Sequence, residues 1–368
     1  TLTPTPSLYK TFTPTVVATH TMTPLPTRHR MRLPIIIVGG DAMTTTPTKT
    51  NTPIASPSAT ATPQSPPVSA TVVAPNGLQN PNALVLDRAN NLLWAVSRNS
   101  GQVFALSLST LWPVEQVPVG ELPFGASLLD GLLYVANFAT GSLARIDAAT
   151  QTRLLPDVLL GDEPSWVAAD PVTGRLWVTL HRGGGVAVVV HGSIWRKIYT
   201  GPGAFAVAVD PVRRLVYVGN RDAKDIVVLD ADSGDRIRTL DPGGSPFALA
   251  VNEATGMVYV VHGGRAGDCP ADRLAIYHHS GLKLRDVPVG DTCDGGWIGV
   301  NAASDRVYVA ATARDEVWAF EWDGALRTVF TAAHGVGREP LGLAVDPDTA
   351  LVYIGNRADS TITVLYDP

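Results

Sequence analysis

Residues 204–229 read AFAVAVDPVRRLVYVGNRDAKDIVVL, and this stretch decides the fold. Three short apolar runs follow one another, and their wealth of valine and isoleucine is typical of buried β-strands. The first run ends at Asp210 and Pro211, where proline presets the backbone for a tight turn. The second run centres on Tyr217 and the third begins at Ile226. The pattern predicts antiparallel strands joined by hairpins.

This stretch is one copy of a repeat that occurs seven times after residue 80. Each copy has an aromatic marker inside a β-branched run, and the markers are Trp94, Tyr134, Trp177, Tyr217, Tyr259, Tyr308 and Tyr353. Successive markers are 40, 43, 40, 42, 49 and 45 residues apart. That period is typical of a four-stranded β-propeller blade. The sequence therefore predicts an all-β protein, a seven-bladed β-propeller.

A second repeated position, ahead of each marker, opens the first strand of the copy. It lies thirteen residues before the marker in six copies and eleven before it in the second copy, whose first hairpin is two residues tighter. This strand-opening position is occupied by Pro81, Pro123, Pro164, Ala204, Pro246, Gly295 and Pro340. A third strand is expected nine residues after most markers, and a more polar fourth strand follows, as in Asp235 to Leu240. Such blades bury their inner strands and expose the outer one.

The seventh copy lacks a fourth strand, because the sequence ends shortly after its third strand, Ile362 to Leu365. We expect the β-branched run Ser69 to Val73, just ahead of the first copy, to supply the missing strand. The two ends of the propeller would then close the ring together and remove its open edges. The predicted domains are a disordered Thr/Pro-rich linker or stalk over residues 1–68 and the propeller over residues 69–368.

Composition separates the two parts of the chain. Residues 1–70 contain 18 threonines and 12 prolines, a composition that cannot bury enough apolar surface to offset the entropy of ordering. Up to residue 75 there are five basic residues and one acidic residue, whereas the remainder has 23 basic and 32 acidic residues. This acidic remainder does not favour nucleic acid as a partner. The apolar run Leu33 to Gly40 is far shorter than the roughly 20 residues that cross a bilayer, so no transmembrane segment is predicted.

The sequence around three markers resembles a known repeat. The segments YVGN at 217–220, YIGN at 353–356 and YVAN at 134–137 are similar to the YVTN repeat of bacterial and archaeal propellers, with NHL-like relatives. The resemblance extends over roughly residues 75–368, and the copies around Trp177 and Tyr259 depart from it. It implies a propeller fold. It implies little about function, because the repeat is structural and the family includes surface-layer proteins, binding proteins and relatives of redox enzymes.

Basic side chains recur in the loops that follow the markers. In propellers of this kind, these loops and the loops between blades lie on one face around the central channel. The basic candidates there are Arg98, His181, Arg182, Arg221 and Arg357. Arginine offers a planar fork that suits carboxylate or phosphate, so a small anionic ligand is expected, with a polysaccharide or a protein as other partners. Alternatively, Glu163 pairs with His181 or Arg182 and Glu339 pairs with Arg357, as loop ion pairs.

Two functions are compatible with this face. The first is an extracytoplasmic binding or scaffold propeller, expected to be a monomer, that takes its ligand on these loops. The second is a propeller enzyme, a lyase, lactonase or redox-related protein, acting on a small anionic substrate. An enzyme needs carboxylates and histidines that converge in the channel, and the candidates are Glu163, Asp294, Glu339, His181 and His262. These residues follow no recurring signature, so no metal, cofactor or catalytic residue is assigned.

The two cysteines, Cys269 and Cys293, are predicted to form a disulfide. The fifth copy has fifteen residues between its marker Tyr259 and its third strand at Leu274, where other copies have nine, and this insertion contains Cys269. Cys293 precedes the strand-opening position of the sixth copy by two residues. Both loops lie on the same face at neighbouring blades, within the reach of a disulfide. A disulfide implies an oxidising compartment and therefore a secreted or cell-surface protein.

Overall fold

In the computed structural model, the described residues are 70–263, 272–290 and 296–367, and they form seven four-stranded antiparallel sheets. The described residues fall within one compact unit, Pro63–Pro368. Each sheet is one blade, and the first strands of successive blades contact one another around a complete ring, with the last next to the first. The predicted seven-bladed β-propeller is confirmed.

The strands are named in chain order. The innermost strands are β2 (Pro81–Asp87), β6 (Pro123–Leu129), β10 (Pro164–Asp170), β14 (Ala204–Asp210), β18 (Ser245–Asn252), β22 (Ile298–Asn301) and β26 (Pro340–Asp346). The second strands are β3 (Leu92–Ser97), β7 (Leu132–Asn137), β11 (Arg175–Leu180), β15 (Leu215–Asn220), β19 (Met257–Gly263), β23 (Arg306–Ala311) and β27 (Leu351–Asn356).

The outer half of each blade is built in the same way. The third strands are β4 (Gln102–Ser107), β8 (Ser142–Asp147), β12 (Gly185–Val190), β16 (Asp225–Asp230), β20 (Arg273–His278), β24 (Glu316–Glu321) and β28 (Thr361–Tyr366). The outermost strands are β5 (Pro113–Pro118), β9 (Thr152–Leu159), β13 (Ser193–Tyr199), β17 (Arg236–Leu240), β21 (Lys283–Pro288), β25 (Leu326–Phe330) and β1 (Ala70–Val73). Two single 3₁₀ turns, Thr312–Arg314 and Ala332–His334, complete the regular structure of the described residues.

The ring closes as predicted. Strand β1 pairs antiparallel with β28, so that Ala70 faces Leu365 and Val73 faces Ile362. The seventh blade therefore consists of three C-terminal strands and one N-terminal strand. Since both ends of the propeller meet in one sheet, no innermost or middle strand is left with an open edge.

The aromatic markers are wedges between neighbouring blades. All seven are buried, with at most 6% of the side chain exposed, and each belongs to a different hydrophobic cluster. Trp94 of the first blade, for example, packs with Leu133 and Val135 of the second. Because blades splay apart with distance from the channel, one large side chain per blade is needed to fill each gap. This requirement explains why the aromatic residue is the most regular feature of the repeat.

Most strand boundaries differ from the predicted ones by one residue, but β22 begins at Ile298, and the predicted strand-opening position Gly295 lies outside the described residues. The third strands begin one residue earlier than expected, as at Asp225, and β18 begins at Ser245 rather than Pro246. The tighter first hairpin of the second blade is explained by its turn, in which Asp130 and Gly131 both have positive φ. That two-residue turn matches the twist of the strands it joins.

Several predicted features lie outside the described residues. These are the Thr/Pro-rich stalk at 1–68, the cysteines Cys269 and Cys293, and Asp294. The described residues contain no helix that is long and apolar enough to span a bilayer.

Candidate ligand-binding site at the channel mouth

One backbone arrangement, a left-handed residue with a hydrogen-bonded carbonyl group, recurs on the face that carries the predicted loops. The residue before the strand-opening position has a left-handed backbone in five blades, with φ between +49° and +71° at Asn80, Leu122, Glu163, Gly203 and Glu339. The carbonyl oxygen of each accepts a hydrogen bond of 2.8–3.1 Å from a backbone N–H four residues after the marker, at Arg98, Phe138, His181, Arg221 and Arg357 respectively. This hydrogen bond joins the loop before the innermost strand to the loop after the second strand. It holds the residue that lies four positions after the marker near the channel.

A second repeated device turns side chains of the innermost strands towards the same place. In six blades, the pairing of the innermost strand with its neighbour is interrupted directly after the strand-opening position. Such β-bulges re-aim side chains and are frequent beside binding sites. The bulged residues include Asn82, Phe124, Phe205, Phe247 and Leu341, which alternation along a regular strand would not bring to the channel mouth together.

These two sets of residues line one cavity, the channel-mouth cavity, with a volume of about 320 Å³. Its lining consists of Asn82, Arg98, Phe124, Phe138, His181, Phe205, Arg221, Phe247, Trp297, Leu341 and Arg357. Three arginines and a histidine therefore share the lining with four phenylalanines and one tryptophan. Within the described part of the chain, no carboxylate is among the lining residues.

Two of the arginines are held close together. Burial and, to a smaller extent, the positive charge of Arg357 lower the pKa of Arg98. Arg357 is compensated by Glu339, whose Oε2 lies 2.8 Å from its Nε. Arg98 has no ion pair among the described residues, and its buried Nε has no hydrogen-bond partner there. A guanidinium stays protonated at neutral pH despite such a shift, so Arg98 is a positive charge at the cavity that no described residue compensates.

Aromatic rings hold the guanidinium groups in place. The guanidinium carbon of Arg98 lies 5.3 Å from the ring centroid of Phe124, and that of Arg221 lies 4.8 Å from Phe205 and 4.5 Å from Phe247. Cation–π contacts of this kind fix a long side chain without using its hydrogen-bond donors. The N–H groups of Arg98 can therefore still bind a ligand, because the ring of Phe124 lies over the guanidinium plane and takes up none of its donors.

Two tryptophans form the floor of the cavity. The rings of Trp166 and Trp297 are 4.4 Å apart at their centroids and tilted by 34°. Next to them lies a space of about 40 Å³, lined by four alanines, four larger aliphatic residues and both indoles. This space is sufficient for a water molecule or two but not for an organic ligand. The channel is thus closed, and the site is a bowl open at one face.

The structure distributes the sequence-predicted residues over three places. Arg98, His181, Arg221 and Arg357 line the channel-mouth cavity. Arg182 and Glu163 lie outside the lining as a loose surface pair, 3.7 Å apart, and the arginine side chain is 78% exposed. Glu339 is the partner of Arg357, as the ion-pair alternative predicted.

His262 lies elsewhere, buried in the fifth blade. Its Nε2 is 3.3 Å from Oδ1 of Asp286, which also accepts hydrogen bonds from Arg273 and Lys283. Burial lowers the pKa of His262, and the attraction of Asp286 opposes this only in part. Because β19 continues as far as Gly263, His262 is a paired strand residue rather than a loop residue. Among the described residues, no three His, Cys, Asp or Glu side chains cluster as metal ligands do.

The aromatic wall was not recognised from the sequence, although a signal for it exists. Phe124, Phe205 and Phe247 each follow the strand-opening position by one residue, and Trp166 and Trp297 follow it by two. Aligning the copies on the strand-opening position shows these aromatics in corresponding places. Their direction towards the channel depends on the bulge, which has no clear sequence signature.

The fold and the closed channel define the molecule as a seven-bladed β-propeller with a cavity at one face. No protein-family model and no curated protein matches the chain. Among solved structures it is similar to the hydrazine synthase of Kuenenia stuttgartiensis, with 14% identity over 80% of this chain and 97% of that one and a TM-score of 0.71.

Two lyases are also similar in structure. A catalytically inactive virginiamycin B lyase from Staphylococcus aureus, solved with quinupristin, is 12% identical over 82% of this chain and all of that one, with a TM-score of 0.68. A streptogramin B lyase is 10% identical over 81% of this chain and 97% of that one, with a TM-score of 0.67. At these identities the likeness concerns the propeller architecture alone.

Proposed function

We propose that this propeller is a binding protein for a small organic anion, which it takes up in the channel-mouth cavity. The observation that carries the proposal is Arg98, a half-buried guanidinium that has no ion pair in the described part of the chain. A positive charge at a partly buried place costs free energy unless an anion joins it. An anionic ligand offsets that cost when it binds.

The hydrogen-bonding inventory of the lining supports the same conclusion. The arginines and the indole N–H of Trp297 are donors only, and Nε1 of Trp297 has no acceptor among the described residues although 94% of this side chain is buried. A ligand that satisfies such a lining must supply acceptors. Carboxylates and phosphate esters supply acceptors and negative charge together.

The test is binding to wild-type protein and to Arg98→Gln, with acetate, succinate, phenylacetate and inorganic phosphate as probes in isothermal titration calorimetry. We expect at least one probe to bind, and Arg98→Gln to weaken it by roughly 10–100-fold, the value of a charged hydrogen bond. The melting temperature of the unliganded variant should not fall, because no ion pair of the described residues is lost.

Arg196→Gln is the matched control, since Arg196 lies on the outermost strand β13 and is 46% exposed. It should bind the probe like wild type. If no probe binds, or if Arg98→Gln binds as tightly as wild type, the proposed function is wrong. A lower melting temperature of Arg98→Gln without ligand would show that Arg98 serves the fold instead.

A second candidate function is catalysis on the bound anion. It is favoured by His181, whose ring lines the cavity and whose buried Nδ1 has no hydrogen-bond partner in the described part of the chain. An imidazole so placed has the chemistry of a general base. Mass spectrometry of each binding anion after incubation with the protein tests this. A product that wild type forms and His181→Gln does not form would support an enzyme, and an unchanged anion would support binding alone.

We further propose that the chain is a divergent YVTN-type propeller that works outside the cytoplasm, with Cys269 and Cys293 joined by a disulfide. The Thr/Pro-rich composition of residues 1–68 supports this location, as do the two cysteines, one in the inserted loop of the fifth copy and one in the loop that leads to the sixth. Thiol titration of unreduced, denatured protein, purified after export, should find no free thiol. Two free thiols per chain would contradict both the disulfide and the location.

A further inference from the structure

The channel-mouth cavity has an aromatic side that an anion alone does not use. Phe124 and Phe138 are only partly buried, and their ring centroids are 6.2 Å apart with the planes tilted by 39°. The ring of His181 lies 6.2 Å beyond Phe138, tilted by 37°. Three flat side chains therefore follow one another along the wall, and each leaves part of its surface open to the cavity.

The position of Arg98 relates this wall to the positive charge. Its guanidinium lies 5.3 Å from the centroid of Phe124, the ring of the wall that neighbours Phe138. Among the described residues, guanidinium groups lie over Phe124, Phe205 and Phe247, whereas none lies over Phe138. The ring of Phe138 is thus available to a ligand, one ring away from the charge that would hold its anionic group.

The charges of the lining argue against a quaternary ammonium group, which is the other usual ligand of an aromatic-lined cavity. Aromatic cages bind quaternary ammonium groups through the negative faces of their rings. Here arginines already lie over three of the rings, and Arg98 adds a positive charge that no ion pair of the described residues balances. A cation would be repelled by Arg98. A negatively charged molecule with an apolar, flat part satisfies both halves of the lining.

We propose that the ligand is a small aromatic monocarboxylate of the arylacetate type. Its carboxylate binds Arg98, and its ring lies against Phe138. A single ring or two fused rings fit, because 320 Å³ is at the small end of ligand cavities. The ligand needs a spacer of one or two atoms between its carboxylate and its ring. Such a spacer fits the 5.3 Å between the guanidinium of Arg98 and the centroid of Phe124, the first ring of the wall. This inference rests on the proposed anion-binding function and specifies its ligand.

The experiment compares phenylacetate with cyclohexylacetate, which has the same charge and nearly the same size but a puckered, saturated ring. Titration calorimetry on the wild-type protein should show phenylacetate to bind about two- to tenfold more tightly, the range expected for one aromatic pair. Phe138→Leu should abolish this preference and leave the affinity for cyclohexylacetate unchanged. Tyr199→Leu, which replaces an aromatic residue that is 69% exposed on β13, is the control and should keep the preference.

The outcomes separate this inference from the proposed function. If cyclohexylacetate binds wild type as tightly as phenylacetate and both need Arg98, the flat ring is refuted while anion binding stands. If neither binds but phosphate or succinate does, the arylacetate class is wrong and the anion site remains. If no anion binds, both fail. The wild-type comparison needs no variant, so a folding defect in Phe138→Leu cannot obscure the result.

Discussion

At the scale of single residues, the channel depends on a match between small and large side chains. Two residues after the strand-opening position, two blades have tryptophan, namely Trp166 and Trp297, and these close the channel. The other five blades have only alanine or glycine there, at Ala83, Gly125, Ala206, Ala248 and Gly342. Two indoles fit inside a ring of seven strands because the remaining five positions leave them room.

Gly125 is the position where this match can be tested. A Cβ atom at Gly125 would lie 2.7 Å from Cε3 of Trp166 and 2.8 Å from the carbonyl oxygen of Ser165, both closer than real contacts. Because its φ lies outside the left-handed region, alanine adds only this overlap. We expect Gly125→Ala to lower the free energy of unfolding by about 1–3 kcal/mol, the usual cost of overpacking. Chemical denaturation measures it.

Trp166→Phe provides the control for this prediction. The smaller ring should relieve the overlap, so the double variant should be more stable than the sum of the two single effects implies. Strict additivity would show that Gly125 is needed for a reason other than room for the indole.

At the scale of elements, an arginine–aspartate latch joins neighbouring blades away from the channel mouth. The guanidinium of Arg214, in the turn after β14, binds both carboxylate oxygens of Asp170 at the end of β10, at 2.9 and 3.0 Å. Across the closing junction, Arg88, in the turn after β2, binds Asp346 at the end of β26 with one guanidinium nitrogen and Asp348 with another. The Asp170 side chain is fully buried. Burial alone would raise its pKa, but hydrogen bonds from Arg214 and Thr173 outweigh burial and lower it.

We predict that Arg214→Lys lowers the free energy of unfolding by about 1–3 kcal/mol at neutral pH. Lysine keeps the positive charge but cannot form the bidentate contact with both carboxylate oxygens of Asp170. The buried carboxylate then lacks a hydrogen-bond donor. A lowered pKa in the folded state stabilises the protein above the ordinary aspartate value of 3.8 and ceases to do so as the pH falls through the folded value. Urea titrations of wild type and variant should therefore differ at pH 7 and converge at strongly acidic pH.

Arg285→Lys is the matched control for the latch. Arg285 pairs with Asp323 of the next blade at 3.7 Å, and its side chain is 59% exposed. Exposed pairs of this kind contribute about 0–1 kcal/mol, so this variant should be close to wild type at every pH. An equal loss in both variants would mean that the two-pronged contact has no particular value.

At the scale of the whole molecule, stability depends on closing the ring. Among the described strands, β1 is the one that pairs the N-terminal end of the propeller with β28, the third strand of the last blade. Without β1, strand β28 becomes an exposed edge, and the apolar cluster that includes Val73, Tyr353 and Ile362 loses part of its cover. The effect is global because an opened ring releases both neighbours of the last blade.

Two truncations test ring closure. Deletion of residues 1–60 should leave the melting temperature nearly unchanged, whereas deletion through Pro75 should lower it by about 5–15 °C, as expected for a loss of a few kcal/mol in a domain of this size. Differential scanning calorimetry measures both. Equal melting temperatures for the two proteins would refute the closure argument.

Much of this fold was predictable because its signals are local and repeat seven times. The spacing of Trp94, Tyr134 and the later markers predicted the blade count, and the missing last strand predicted the pairing of Ser69 to Val73 with Ile362 to Leu365. Four lining residues of the cavity, among them Arg98 and Arg357, followed from their loop position. Phe124 and Phe205 were missed, because they lie in strands whose bulges decide where the side chains point. His262 was expected on the loop face, but one extra strand residue buries it beside Asp286.

The sequence by itself thus determined the architecture. Apolar β-branched runs, turn residues and a period near 43 act within one blade, and closure follows once seven blades and a spare strand are present. Only the tertiary structure decided which side chains share the cavity. Arg98, Phe138 and His181 belong to three different blades, and they meet because inter-blade packing sets the channel width and the bulges set side-chain direction. Long-range packing, not any segment taken alone, places a positive charge beside an aromatic wall above a closed channel.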